Sequence, residues 1–176
     1  RAEMAGQGIE LPAEGHYAVG YLFMPQDTGL RAHCENIVRE VVAAEGQVLI
    51  GFRDVPVDNS SLSKAPDIAA TEPFHRQVFI GRGAGIASDD DFERRLYILR
   101  KVISGRIYAE TEGRDNGFYI VSMSSRTIIY KGMFLAYQVG AYYRDLADPA
   151  FTSALALVHQ RFSTNTFPSW KLAHPY

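Results

Sequence analysis

A mixed α and β layered fold is what this sequence predicts. Two long stretches carry apolar residues at helical spacing, several short apolar runs read as strands, and two of those runs are close enough to form a hairpin. Helical and extended segments are interspersed without a strict βαβ rhythm. No repeat, low-complexity tract, charge block or composition shift divides the 176 residues into two domains.

Residues 1–16, rich in glycine and acids, read as a loop. Tyr17 to Met24 is an apolar strand closed by Pro25. Leu30 to Ala44 follows as a helix, because Leu30, Cys34, Val38, Val41 and Val42 fall on one face, and Gly46 stops it. Val48 to Phe52 is the next strand. Residues 57–73, with serines, Pro66 and Pro73, read as an irregular connection, and Gln77 to Ile80 as a short strand. Ser88 caps a long helix whose first turn holds Asp89, Asp90 and Asp91 and whose apolar stripe is Phe92, Leu96, Leu99, Ile103 and Ile107. Phe118 to Met123 and Thr127 to Lys131 read as a hairpin turning at Ser124-Ser125-Arg126. Its first arm is apolar on both faces, as suits a sheet covered on both sides. Met133 to Tyr143 is ambiguous between helix and irregular chain. Ala154 to Arg161 reads as strand, and the tail from Phe162 has no clear period.

Hydrophobic residues make up 47% and charged residues 22% of the chain, the balance of a soluble globular protein. The net charge of −2 gives no electrostatic case for nucleic acid or an anionic membrane. The longest apolar run is too short to span a bilayer, and the first eight residues lack the apolar core of a signal peptide. One cysteine cannot form an internal disulfide, so a reducing cytoplasm is expected.

Most chemically suggestive residues have ordinary explanations. Cys34 lies on the apolar stripe of a helix and reads as a small core side chain rather than a nucleophile. Neighbouring His33 points about 100° away from it. The five histidines show no metal-ligand spacing. Arg82-Gly83-Ala84-Gly85 lacks the remaining glycines and lysine of a phosphate cradle and reads as a flexible turn. Asp89 to Asp91 suit a helix N-terminus better than a cation. Arg106, Arg114 and Arg126 have no evident partners and read as solvated. Tyr142 and Tyr143 with Phe134 and Tyr137 could line a groove, though core packing is more ordinary.

The informative stretch runs from Val158 to Trp170. On a strand, His159 and Arg161 would share one face, with Ser163, Thr164, Asn165 and Thr166 just past its end. A guanidinium fork matches a carboxylate, and nearby hydroxyls and an amide can hold an amino group. This is a candidate site for the zwitterionic end of an amino acid. A polar loop closing a strand is the plain alternative.

His159-Gln160-Arg161-Phe162-Ser163-Thr164-Asn165-Thr166-Phe167-Pro168-Ser169-Trp170 resembles a block characteristic of the glutamate synthases. Four further stretches resemble the same family in the same order: Gly15 to Gly20 with Phe23-Met24-Pro25, Gly51 to Val57, Phe92 to Lys101, and Ser122 to Gly132. The resemblance runs over nearly the whole chain and identifies residues 1–176 as part of a class II glutamine amidotransferase domain. It implies an α+β fold of the N-terminal-nucleophile hydrolase type, a four-layer α/β/β/α sandwich, incomplete in this chain. It also implies hydrolysis of L-glutamine to glutamate and ammonia by an N-terminal cysteine. The ammonia passes to a separate site where 2-oxoglutarate and reduced FMN form a second glutamate. FMN and an iron–sulfur cluster would belong to other domains, with no cofactor in this segment, and the partners would be the rest of the large subunit and a small subunit. Carried over by position, Arg161 grips the α-carboxylate of glutamine, Thr164 adds a hydrogen bond, and Ser163 and Asn165 brace the loop.

The sequence begins with Arg1 rather than the cysteine nucleophile and ends at Tyr176, before the Asn-Gly pair of the family's oxyanion hole. Two explanations stand open: a piece of a larger subunit, favoured because the matches are intact, or a truncated gene product. The chain alone is expected to lack glutaminase activity, and an interrupted sheet would leave edge strands prone to form a homo-oligomer. The alternative function is a non-catalytic amino-acid-binding or protein-interaction module.

Overall fold

The structure, a computed structural model, describes residues 2–113, 115–161 and 164–174. A short helix, α1 (Ala2–Gly6), precedes strand β1 (Tyr17–Met24), helix α2 (Thr28–Ala44) and strand β2 (Val48–Asp54). Helix α3 (Pro66–Ala70), strand β3 (Phe74–Gly81), helix α4 (Asp89–Glu110) and strand β4 (Tyr119–Ser124) follow. Two short helices, α5 (Val139–Tyr142) and α6 (Arg144–Ala147), come last, with single 3-10 turns at Asn59–Leu62, Ala136–Gln138 and Trp170–Leu172.

The four strands form one antiparallel sheet in the order β2-β3-β1-β4. Its centre is the β1–β3 pair, in unbroken register from Tyr17 opposite Gly81 to Met24 opposite Phe74. The predicted strand at Gln77 to Ile80 is therefore longer than its apolar core, because pairing on both sides extends it. Side chains alternate across the sheet. Ala18, Leu22, Met24, Val78, Ile80, Ile120 and Met123 face α2 and α4, while Tyr21, Phe23 and Val121 face an aromatic cluster on the other side.

Both predicted helices form as expected. The Asp27 carboxylate caps α2 by accepting from the Leu30 amide at 2.7 Å, and Gly46, at φ +69°, ends it in the left-handed conformation. The Ser88 hydroxyl caps α4, and the whole predicted stripe from Phe92 to Ile107 is buried against the sheet. Each such aliphatic side chain is worth about 1.5–3 kcal/mol of burial.

Two predicted strands do not form. Residues 127–131 make no ladder with β4, because serine hydroxyls take the amides that a ladder needs. Ser124 Oγ accepts from the amides of Arg126 and Thr127, and Ser122 Oγ from that of Ile129. The chain instead crosses the sheet, packing Ile128 and Tyr130 on the aromatic cluster. Residues 154–161 have no pairing partner among the described residues and run as irregular chain. The region 57–73 is more ordered than predicted: Asp58 caps the turn at Asn59–Leu62, and Pro66 starts α3.

Candidate functional site

Arg161, Thr164 and Asn165 all lie in exposed, irregular chain, and Ser163 lies outside the described residues. The premise that His159 and Arg161 share a strand face therefore fails; the Arg161 amide donates to His159 Nδ1 at 3.1 Å in a local turn. Arg161, Thr164 and Asn165 line neither of two cavities at the ends of the sheet. Those are an open cleft of about 490 Å3 beside His16 and Arg82, and one of about 180 Å3 beside Glu72 and His75. Leu155, Leu157 and Val158, at 83%, 97% and 85% exposure, are apolar side chains with nothing over them.

The segment is nevertheless held at both ends. Every described residue from 146 to 168 is exposed, and the flanking Asp145 and Trp170 enter the folded body. Asp145 meets Arg53 of β2 in a two-point pair, Nη1 to Oδ2 at 2.9 Å and Nη2 to Oδ1 at 2.7 Å. Arg53 also donates to Glu3 of α1 at 2.8 Å and to Gln77 Oε1 of β3 at 3.1 Å, and the Tyr130 hydroxyl donates to Asp145 at 2.8 Å. Burial pushes the Asp145 carboxyl up, but its bonds to Arg53 and Tyr130 outweigh this and hold it below the usual carboxylate value.

At the other end, the Trp170 indole packs edge-on against Phe23, His75 and Phe134, with centroids 5.4–6.1 Å apart, and donates to the Ile68 carbonyl at 3.2 Å. His75 is the polar centre of this box. Its Nδ1 lies 3.0 Å from the Tyr21 hydroxyl and its Nε2 2.7 Å from the Tyr142 hydroxyl. Tyr142 spends its only proton on the Glu72 carboxylate, which can only accept. His75 must therefore donate from Nε2 and accept at Nδ1 from Tyr21, which assigns the tautomer. Burial pushes this imidazole down to about 3, so the ring is neutral.

The comparisons with known proteins bear on what this arrangement serves. Residues 1–176 match the class-II glutamine amidotransferases. The chain belongs to that family. It is 44% identical over 169 residues to the glutamate synthase [NADPH] large chain of Bacillus subtilis (strain 168), covering 96% of this chain and 11% of that protein. It is 42% identical over 160 residues to the Azospirillum brasilense large chain, covering 90% of this chain and 10% of that one. With the chloroplastic ferredoxin-dependent glutamate synthase 2 of Arabidopsis thaliana it shares 38% over 172 residues, 96% of this chain and 10% of that protein. The chain thus spans about a tenth of the length of these relatives.

In this class-II amidotransferase segment the remaining candidates fall into structural roles. Cys34 is fully buried on α2, and burial pushes its thiol up to about 11, the reverse of an activated nucleophile. His33 turns outward and pairs with Glu110 at 3.0 Å. In the Arg82 to Gly85 turn the Gly83 amide donates to Gln47 Oε1 at 2.9 Å rather than facing an open cradle. Asp89, Asp90 and Asp91 each pair with an arginine, Arg82, Arg126 and Arg94 in turn. Arg106 and Arg126 are therefore not free in solvent as predicted: Arg106 bridges Glu40 and Glu110. Arg114 lies outside the described residues. Tyr142, Tyr143 and Phe134 are core, while Tyr137 is 77% exposed. Among the described residues no three metal-ligating side chains converge, and no helix is long and apolar enough to cross a membrane.

Sequence reasoning missed Arg53, His75, Gln77, Tyr130 and Asp145. A faint signal was present. His75 and Gln77 stand two residues apart, on one face of a strand whose other half is apolar, as buried groups that share partners on one side of a sheet would.

Proposed function

We propose that this chain is part of the glutamine-hydrolysing domain of a glutamate synthase large chain and that residues 159–166 hold the amino-acid end of L-glutamine. The single observation that carries this reading is the 38–44% identity to glutamate synthases over at least nine-tenths of the chain. In this reading Arg161 pairs with the α-carboxylate through two parallel N–H bonds, Thr164 adds a hydroxyl donor, and Ser163 and Asn165 fix the loop between them.

The reaction is amide hydrolysis. A thiolate attacks the side-chain carbonyl of glutamine, ammonia leaves with the proton returned by the base, and water cleaves the thioester to release glutamate. Cys34 cannot be that thiolate, since it is buried and its thiol is pushed up to about 11. The nucleophile in this reading is a cysteine of the whole protein outside these residues. The chain alone would then be inactive as a glutaminase. A single buried thiol likewise cannot ligate an iron–sulfur cluster, so cluster and FMN would be held by other parts of the large chain, where ammonia and 2-oxoglutarate form glutamate. An unpaired, buried thiol fits a cytoplasmic, reducing setting.

A four-layer sandwich is the matching architecture. The described sheet with α2 and α4 on one face supplies two layers. The run Ala154 to Val158, apolar on both sides and exposed, has the composition of a strand in a second sheet whose partners come from the rest of the large chain.

The test is steady-state kinetics of the full-length large chain with Arg161→Ala. Loss of the guanidinium fork that would pair with the α-carboxylate should raise KM for glutamine roughly 50- to 500-fold, leaving glutamate formation from added ammonia intact. An unchanged KM would sink the assignment. Calorimetry on the present chain separates the alternative module: glutamine heat abolished by Arg161→Ala would mark a retained binding site.

A further inference from the structure

The exposed stretch that bears Arg161 is attached to the folded body at both ends, and these two attachments rest on neighbouring positions of one strand; near its start the Phe151 ring also meets Tyr130 edge-on, with centroids 5.8 Å apart. At its start, Asp145 is gripped by Arg53, itself bonded to Gln77 of β3. At its end, Trp170 packs on His75 of β3. His75 and Gln77 lie two residues apart, on one face of the sheet, with Cα atoms about 7 Å apart by strand geometry. Tyr130 joins the two attachments. Its hydroxyl donates to Asp145 and accepts from Gln77 at 3.3 Å, and its ring stacks edge-on with Tyr21, the residue that donates to His75.

We propose that the Arg53–Asp145 pair and the His75–Trp170 stack are positioning devices that fix where the 146–169 segment begins and ends, and so where Arg161 meets glutamine. This rests on the reading of Arg161 given above. Neither device touches substrate. Every described residue from 146 to 168 is exposed, so where the two ends of the segment are held limits where its middle can lie, and an arginine fork tolerates little misplacement before one of its two bonds is lost.

The chemistry of each attachment favours fixed geometry over mere adhesion. A lysine in place of Arg53 would keep the charge but lose the two-point grip that sets the direction of α6. Trp170 is oriented by its indole N–H on the Ile68 carbonyl as well as by ring packing. His75 is held from both ring nitrogens, so the surface on which Trp170 rests cannot rotate.

The experiment uses the full-length large chain with Asp145→Asn, Arg53→Lys and Trp170→Phe, beside Arg161→Ala. KM and kcat for glutamine are measured, together with KM for 2-oxoglutarate and the rate with added ammonia. The expected result is a five- to twentyfold rise in glutamine KM for each attachment variant. Glutamine kcat should stay within about twofold, the ammonia-dependent rate should not change, and Asp145→Glu should recover part of the loss. If Arg161→Ala raises KM and the attachment variants do not, positioning is overturned while the substrate assignment stands. If Arg161→Ala itself leaves KM unchanged, the site reading falls and this inference with it. A parallel fall in the ammonia-dependent rate and in kcat would mean general structural damage and would also overturn the proposal. Trp170→Phe and Asp145→Glu are mild enough to fold and keep that outcome readable.

Discussion

Glu93, in the second turn of α4, accepts hydrogen bonds from both the amide and the hydroxyl of Ser125, at 2.7 and 2.6 Å. Its second oxygen accepts from the Ser124 hydroxyl at 3.0 Å. Two stretches that resemble the amidotransferase family separately in sequence thus meet as one structural unit, in which the long helix fastens the end of β4.

Replacing Glu93 by alanine removes a charged acceptor from three donors at once. Bonds to charged groups contribute about 1.5–3 kcal/mol each in favourable cases, and these are only partly buried. A net loss of roughly 2 kcal/mol in urea unfolding is expected, with α4 itself intact by circular dichroism. A loss below about 0.5 kcal/mol would mean that water replaces Glu93 without cost.

His75 should make stability fall with acid. Its folded value, about 3, lies below the unfolded value of 6.5. The unfolded chain therefore binds a proton between those limits that the native state refuses, and stability drops as pH falls through that window. The slope attributable to this one group is about 1.4 kcal/mol per pH unit below pH 6. Urea titrations at pH 7, 6, 5 and 4 should show a shallower fall for His75→Gln than for the native sequence. Parallel curves would remove the claim that the ring is held neutral.

Cys34 should be inert in the native state. With its thiol raised to about 11, the thiolate fraction at pH 8 is about a thousandth, and the sulfur has no solvent path. Alkylation by iodoacetamide is expected only after denaturation. Rapid labelling of the folded chain would overturn the core assignment.

Leu96 and Tyr97 are neighbours with opposite fates on α4: the first fully buried, the second 61% exposed. Leu96→Ala should cost about 2–5 kcal/mol, and Tyr97→Ala no more than about 0.5. Comparable losses would mean that the outer face of α4 is also covered.

The helices were legible because what makes a helix is local. The five-residue stripe on α4 and the caps at Asp27 and Ser88 lie within a few residues of the backbone they serve. Strand membership was less so. Residues 127–131 have a strand's composition, yet the hydroxyls of Ser122 and Ser124 claim their amides. The loop motif around Arg161 was readable as chemistry. Its placement was not, since Asp145 and Arg53 are 92 positions apart in the sequence and nothing local pairs them.

By itself the sequence determined the two amphipathic helices, the central strand, the burial of Cys34 and the ordered motifs that mark the family, because periodicity, capping and residue order are properties of neighbours along the chain. Only the tertiary structure decided which extended segments find a partner, which tautomer His75 holds, and how the stretch around Arg161 is tethered. Backbone pairing, desolvation and ion pairing depend on groups that folding alone brings together.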